Sequence, residues 1–305
     1  MHESHICLIA VRQVRRAFNG LAMRQASRGR RAARYACISG HTVLVSGAAS
    51  RMNGYLPVDL SAGGVTILVV TALVAGCARG FSGFGGALIF VPVASSVVGP
   101  KLAVPLLLIV DLVLTPGLIP KAWRNADRPN VAVMAAGAVL GIPLGTYLLT
   151  HVGGVAIRWG IVGIVVVLLA LLMSGWRYHG RPHGALTAAV GLTSGLFSGA
   201  AQVGGPPVVA YWLGGAFTPQ AVRANIVLYF AISSVVSVAS YMIAGLLTRE
   251  TVFLSLLIGP TFALGLFSGA RLFTLANEIV FRRICYGLIA GAAIIGLPLL
   301  DGVLR

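Results

Sequence analysis

From about residue 60 to residue 300 the chain is a succession of apolar runs, several close to the ~20 residues needed to cross the hydrocarbon core of a bilayer. In lipid a backbone must satisfy its own hydrogen bonds, which leaves helices or a closed barrel. A barrel would alternate apolar and polar residues, and no stretch does so. The spans are therefore expected to be helices. Charged residues make up only 10% of the chain, against roughly a quarter in a soluble domain. That is too few to cover a folded globule with solvated side chains.

Spans are read at 60–78, 102–120, 131–150, 158–175, 222–246, 251–270 and 284–300 and an apolar segment at 185–199, with polar loops at 121–130 and 176–184. Two further apolar segments, 80–99 and 200–216, are interrupted by Gly80, Gly83, Gly85, Gly86, Pro92 and Gly99, and by Gly204, Gly205, Pro206, Pro207, Gly214 and Gly215. Whether these cross or re-enter sets the count between about eight and ten.

The two interrupted segments belong to an internal repeat. Gly76, Gly80, Phe84, Gly85 and Gly86 align without gaps on Gly195, Gly199, Val203, Gly204 and Gly205, a constant shift of 119. Ala103 and Val104 match Ala221 and Val222 at a shift of 118. Gly141, Gly145, Arg158 and Gly163 match Gly265, Gly269, Arg282 and Gly287 at 124. The expected fold is thus an all-α polytopic integral membrane protein of two homologous halves. Each has about four to five transmembrane segments and broken Gly/Pro-rich helices, over residues 52–180 and 181–305. Broken helices in corresponding positions point to a transporter with its site where the halves meet.

The formal charge of +16 reads as topology rather than as nucleic-acid binding. Residues 1–51 hold nine Arg and one Glu, and most remaining basic residues lie between apolar segments, as in cytoplasmic loops. No aromatic-basic motif accompanies them. Residues 1–51 form a basic N-terminal tail that does not resemble the rest. It is expected to be a disordered tail, a targeting peptide or sequence upstream of a start at Met52, the first and last being favoured. Mass spectrometry of the N-terminus distinguishes them.

A glycine break inside the membrane frees backbone groups that persist only where they line a cavity or are buried in protein. The half-helix beyond it presents N–H groups and a positive dipole end, a ready anion site. At these residues the chain resembles the TauE/SafE family of sulfite-exporter-like membrane permeases. The likeness rests on A-R-G-F-S-G-F-G-G-A-L-I-F-V-P (78–92), G-L-F-S-G-A-A-Q-V-G-G-P-P-V-V-A-Y (195–211) and A-V-R-A-N (221–225). It covers about residues 60–300. It implies a secondary carrier of small sulfur-containing or organic anions, such as sulfite, thiosulfate or sulfonates. It also carries over the motif centres as binding candidates: Ser82, Gly83, Gly85 and Gly86, then Gln202, Gly204, Gly205 and Pro206. Such a protein is expected as a multi-pass protein of a bacterial inner membrane, in contact with lipid and a small anionic substrate.

Individual side chains carry two readings each. Arg79, beside the first break, either binds an anion or snorkels to the surface. Arg223 suits a substrate or gate role or a cytoplasmic-end anchor, and Asn225 offers an amide donor beside it. Ser82 and Gln202 can donate to an oxyanion or bond between helices. Asp111, the one acid deep within a span, is the candidate for proton coupling, with a structural hydrogen bond as the alternative. Trp123, Trp159, Trp176 and Trp212 read as interfacial anchors.

Metal and cofactor chemistry is not expected. The four cysteines, Cys7, Cys37, Cys77 and Cys285, lack paired spacing, and His179 and His183 flank Gly180 and Pro182 in a loop. No acid/His pair or nucleophile constellation lies on the spans, so an enzyme is disfavoured. No nucleotide-binding loop exists for an ATP-driven pump. A channel or a membrane-embedded assembly factor is the alternative to a carrier.

Overall fold

The computed structural model describes residues 61–82, 85–114, 119–175, 178, 183–214, 217–275 and 278–300. The expectations for residues 1–51, Gly83, Trp176 and His179 lie outside them. Eleven α-helices follow in order among the described residues, with no strand. The first half holds α1 (Ala62–Ser82), α2 (Gly86–Val98), α3 (Pro100–Leu114), α4 (Ile119–Asn125), α5 (Arg128–His151) and α6 (Gly154–Ser174). The second holds α7 (Gly184–Ala201), α8 (Gly205–Gly214), α9 (Pro219–Ile243), α10 (Arg249–Leu275) and α11 (Glu278–Gly296). Six of these, α1, α5, α6, α7, α9 and α10, are long and apolar enough to cross a membrane, and α2 and α11 are shorter apolar helices. Large apolar side chains such as Val113, Leu140, Ile243 and Leu256 face outward, where a polytopic protein meets lipid.

The helix boundaries follow the repeat. α1 ends at Ser82 and α7 at Ala201, and α2 starts at Gly86 and α8 at Gly205, both at the shift of 119. The packing follows it as well. α1 lies against α10 of the other half, and α7 against α5. Both crossings are built on glycine. A Cβ on Gly76 or Gly80 would run into the carbonyls of Phe262 and Leu266, and one on Gly265 or Gly269 into those of Leu73 and Cys77. In the equivalent crossing, Gly141 and Gly145 meet the carbonyls of Leu192 and Leu196, and Gly199 meets that of Ile142. Lipid supplies little hydrophobic drive for helix association, so such close backbone approach, with its dense dispersion contacts, is what holds these pairs.

Two expectations need correction. The segment 121–130 is not a loop: α4 runs through it to Asn125, with Ala122 buried, and α5 begins at Arg128. The local sequence explains this. Asp127 caps α5 by accepting from the Asn130 N–H at 3.3 Å, and Pro129 sits in the first turn, where its missing N–H costs nothing. Trp212, read as an interfacial anchor, is fully buried. Its indole N–H donates to Asn130 Oδ1 at 2.8 Å and its ring packs edge-on to Tyr229, so its polar atom is satisfied inside the protein. Trp123 and Trp159 are exposed.

Candidate functional site at the paired helix breaks

The first break turns on Gly85. Its φ of 101° lies in the left-handed region, where a Cβ would cost ~1–2 kcal/mol. The turn delivers the chain into α2, whose N-cap, Gly85, has no side chain to offer as a cap, and the first-turn N–H groups have no acceptor within the helix. Gly86 lets α2 approach α1 closely: a Cβ there would stand 2.9 Å from the Ala75 carbonyl oxygen and 3.1 Å from Arg79 Cβ. Arg79 occupies the last turn of α1. Its Nη1 meets Asp111 Oδ2 of α3 at 2.8 Å, the two side chains being 24% and 14% exposed. A lone guanidinium at this depth would be expensive, and Asp111 supplies its countercharge.

The second break is built from neutral groups. Gln202 caps α7 with φ 57° and ψ 23°, and it is the one non-glycine of positive φ among the described residues. Its backbone N–H donates to the Ser198 carbonyl at 2.9 Å. Its side-chain amide donates to the Tyr241 hydroxyl at 3.1 Å. That hydroxyl in turn serves the Gly199 carbonyl at 2.9 Å, an orphan acceptor at a helix end, and approaches the Ser198 carbonyl at 3.2 Å. A second chain of bonds holds the far side. Tyr229 donates to Ser194 Oγ at 2.8 Å, and Ser194 Oγ donates to the Gly204 carbonyl at 2.7 Å. Any side chain on Gly204 would collide with Ser194 and Ser198. Pro206 and Pro207 then open α8.

Both breaks border one cavity of about 50 Å³, room for roughly three to five waters. From the first half come Arg79, Gly85, Ala87, Leu88 and Asp111, and from the second Ser198, Gln202, Val203, Gly205, Pro206, Phe230, Ser233, Ser234 and Ser237. The walls differ in kind. One brings a guanidinium, its carboxylate and the glycine-led N-terminus of α2; the other brings an amide and hydroxyls. Gln202 uses one amide hydrogen on Tyr241 and retains a second donor.

Of the residues expected at the site, Arg79, Gly85, Asp111, Gln202, Gly205 and Pro206 are brought together around this cavity. Gly86 and Gly204 are buried directly beside it in sequence, and Ser82 is the last residue of α1. Gly83 lies outside the described residues. Arg223 and Asn225 are not among the cavity-lining residues. Arg223 is exposed in the first turns of α9. Asn225 is fully buried, and its Oδ1 accepts the Asp127 backbone N–H at 2.8 Å, tying the α4–α5 turn to α9. Sequence reading passed over the serines. Ser233, Ser234 and Ser237 recur with Phe230 at helical spacing, a polar stripe in an apolar span that could have been found by its period. Ser198 is the repeat equivalent of Arg79, so the same position in each half faces the cavity.

Comparison with known proteins agrees with this architecture. The family model for the sulfite exporter TauE/SafE matches residues 68–295, a range that contains both breaks and every cavity residue named above. No curated protein and no solved structure matches the chain. By the extent of that match the chain belongs to the TauE/SafE family of membrane transporters.

Proposed function

We propose that this protein is a secondary carrier of small anions, sulfur oxyanions such as sulfite and thiosulfate or small sulfonates, resident in a bacterial inner membrane. The observation that supports it best is one cavity flanked by Arg79 and the N-terminus of α2 at Gly85 from one half, and by Gln202 and Ser198 from the other. A guanidinium, helix N–H groups, an amide and a hydroxyl are donors matched to oxyanion acceptors. Each partner alone binds weakly in water; together in a small, partly desolvated cavity they bind an anion selectively.

The interlocked helix pairs suit a carrier. α1 with α10, and α7 with α5, each join one helix from either half through glycine contacts too close to slide. Rocking of one pair against the other would expose the cavity to alternate sides. Purified protein in liposomes tests the reading against a panel of sulfite, thiosulfate and a short sulfonate. A saturable flux that one panel member blocks for another supports a carrier. Flux that rises linearly with concentration points to a channel, and absence of flux with every member overturns transport of these anions.

A further inference from the structure

We infer that Asp111 is a stand-in for the substrate: it occupies Arg79 when no anion is bound, and must take up a proton before the anion can bind. The inference rests on the carrier reading above and assigns that carrier its coupling ion and stoichiometry. Arg79 and Asp111 both line the cavity and meet at 2.8 Å. An anion entering the same cavity would face the guanidinium already neutralised and a carboxylate that repels it. Adding one proton to the Asp111 carboxylate, drawn from solvent, yields a neutral carboxylic acid. The guanidinium keeps its charge and becomes free to pair with the anion. When the anion leaves, the proton returns to solvent and the ion pair closes again. One proton therefore travels with each anion.

The surroundings leave this role to Asp111. α2 and α7 carry no titratable side chain. α9 contributes Tyr229 and Tyr241, both held in hydrogen bonds, and an exposed Arg223. In α10, Arg249, Glu250 and Arg271 lie towards the two ends. On α3 itself, Lys101 donates to the Thr150 carbonyl at the opposite end from Asp111. In α6, Arg158 is buried and donates to the Gly296 carbonyl, and α5 has its Arg128, Tyr147 and His151 near its ends. Among the described cavity residues, Arg79 and Asp111 are the charged ones.

Thiosulfate is the probe of choice, because it stays a dianion through the neutral range and so brings no proton of its own. Liposomes containing the wild-type protein and a trapped pH dye receive an inward thiosulfate gradient with no initial pH difference. The interior should acidify, one proton per thiosulfate. Apparent affinity should rise up to about tenfold for each unit by which external pH falls while Asp111 is ionised. Asp111→Asn, neutral at every pH, should exchange thiosulfate across the membrane with no pH dependence and without moving protons. Saturable wild-type flux with no proton movement overturns the inference and leaves the carrier intact. Proton movement that persists in Asp111→Asn also overturns it. Absence of flux in the wild type with thiosulfate, sulfite and the short sulfonate alike defeats both. Should the variant misfold, saturable wild-type flux without proton movement still overturns the inference.

Discussion

The two breaks occupy equivalent places in the repeat and solve the same problem with different chemistry. At the first, a glycine of left-handed φ leads into α2, whose opening residues Gly86, Ala87 and Leu88 all carry N–H groups, and an ion pair closes the flank. At the second, the left-handed residue is Gln202, and α8 opens with two prolines that remove two donors from its first turn. Neutral hydrogen bonds replace the ion pair: Tyr229, at the shift of 118 from Asp111, reaches Ser194 of α7. The helix boundaries thus repeat at the shift of 119, while the charge lies in one half and the neutral hydrogen-bonding groups in the other. On the proposed carrier reading this asymmetry suits one small anion, with charge attracting it from one side and neutral donors orienting it from the other.

Substitutions can break or sharpen this contrast. The largest effect is expected at Arg79. Arg79→Gln should lower the apparent affinity for thiosulfate by about a hundredfold or more, in keeping with the 2–5 kcal/mol typical of a buried charged partner. Arg79→Lys should recover part of it. If Arg79→Gln transports normally, the first break is not the electrostatic half. Next comes Gly85→Ala, whose forced positive φ should cost ~1–2 kcal/mol and raise KM about tenfold. Gly204→Ala acts instead through collision with Ser194 and Ser198, so thermal stability should fall more than KM rises. Gln202→Gly keeps the left-handed turn while deleting the amide. A five- to tenfold rise in KM with little change in thermal midpoint is expected from losing about 1 kcal/mol of hydrogen bonding. Smallest is Pro206→Ala, which restores one N–H to α8 and should tighten binding two- to threefold through the helix-end field. A large gain there would show that the second break also works by its dipole.

Much of the frame was readable in the sequence because lipid imposes strict rules. Apolar runs of spanning length and paired glycines at constant shift locate the helices, and the breaks fall where Gly85-Gly86 and Gly204-Gly205 stand. The close crossings were implied by the same glycines, although which helix each would meet was not. Less visible were features that depend on the third dimension. The Arg79–Asp111 pair joins side chains 32 positions apart in sequence with no periodic relation. α4 hid inside a polar segment because its buried residue, Ala122, is small and surrounded by charge. Trp212 sits near the end of an apolar run, which suggested the interface, but α8 is short enough to place it within the core beside Tyr229. Asn225 lies in a motif and yet serves the α4–α5 turn.

The central claim is that substrate sits between the breaks and touches both halves, and a structure determined with thiosulfate bound tests it most directly. The anion is expected in the cavity, with an oxygen about 3 Å from the Arg79 guanidinium and other atoms in reach of Gln202 or Ser198. Arg79 should then have turned from Asp111 to the anion. Thiosulfate bound away from the cavity, or held by residues of one half with the Arg79–Asp111 pair still closed, would contradict the claim.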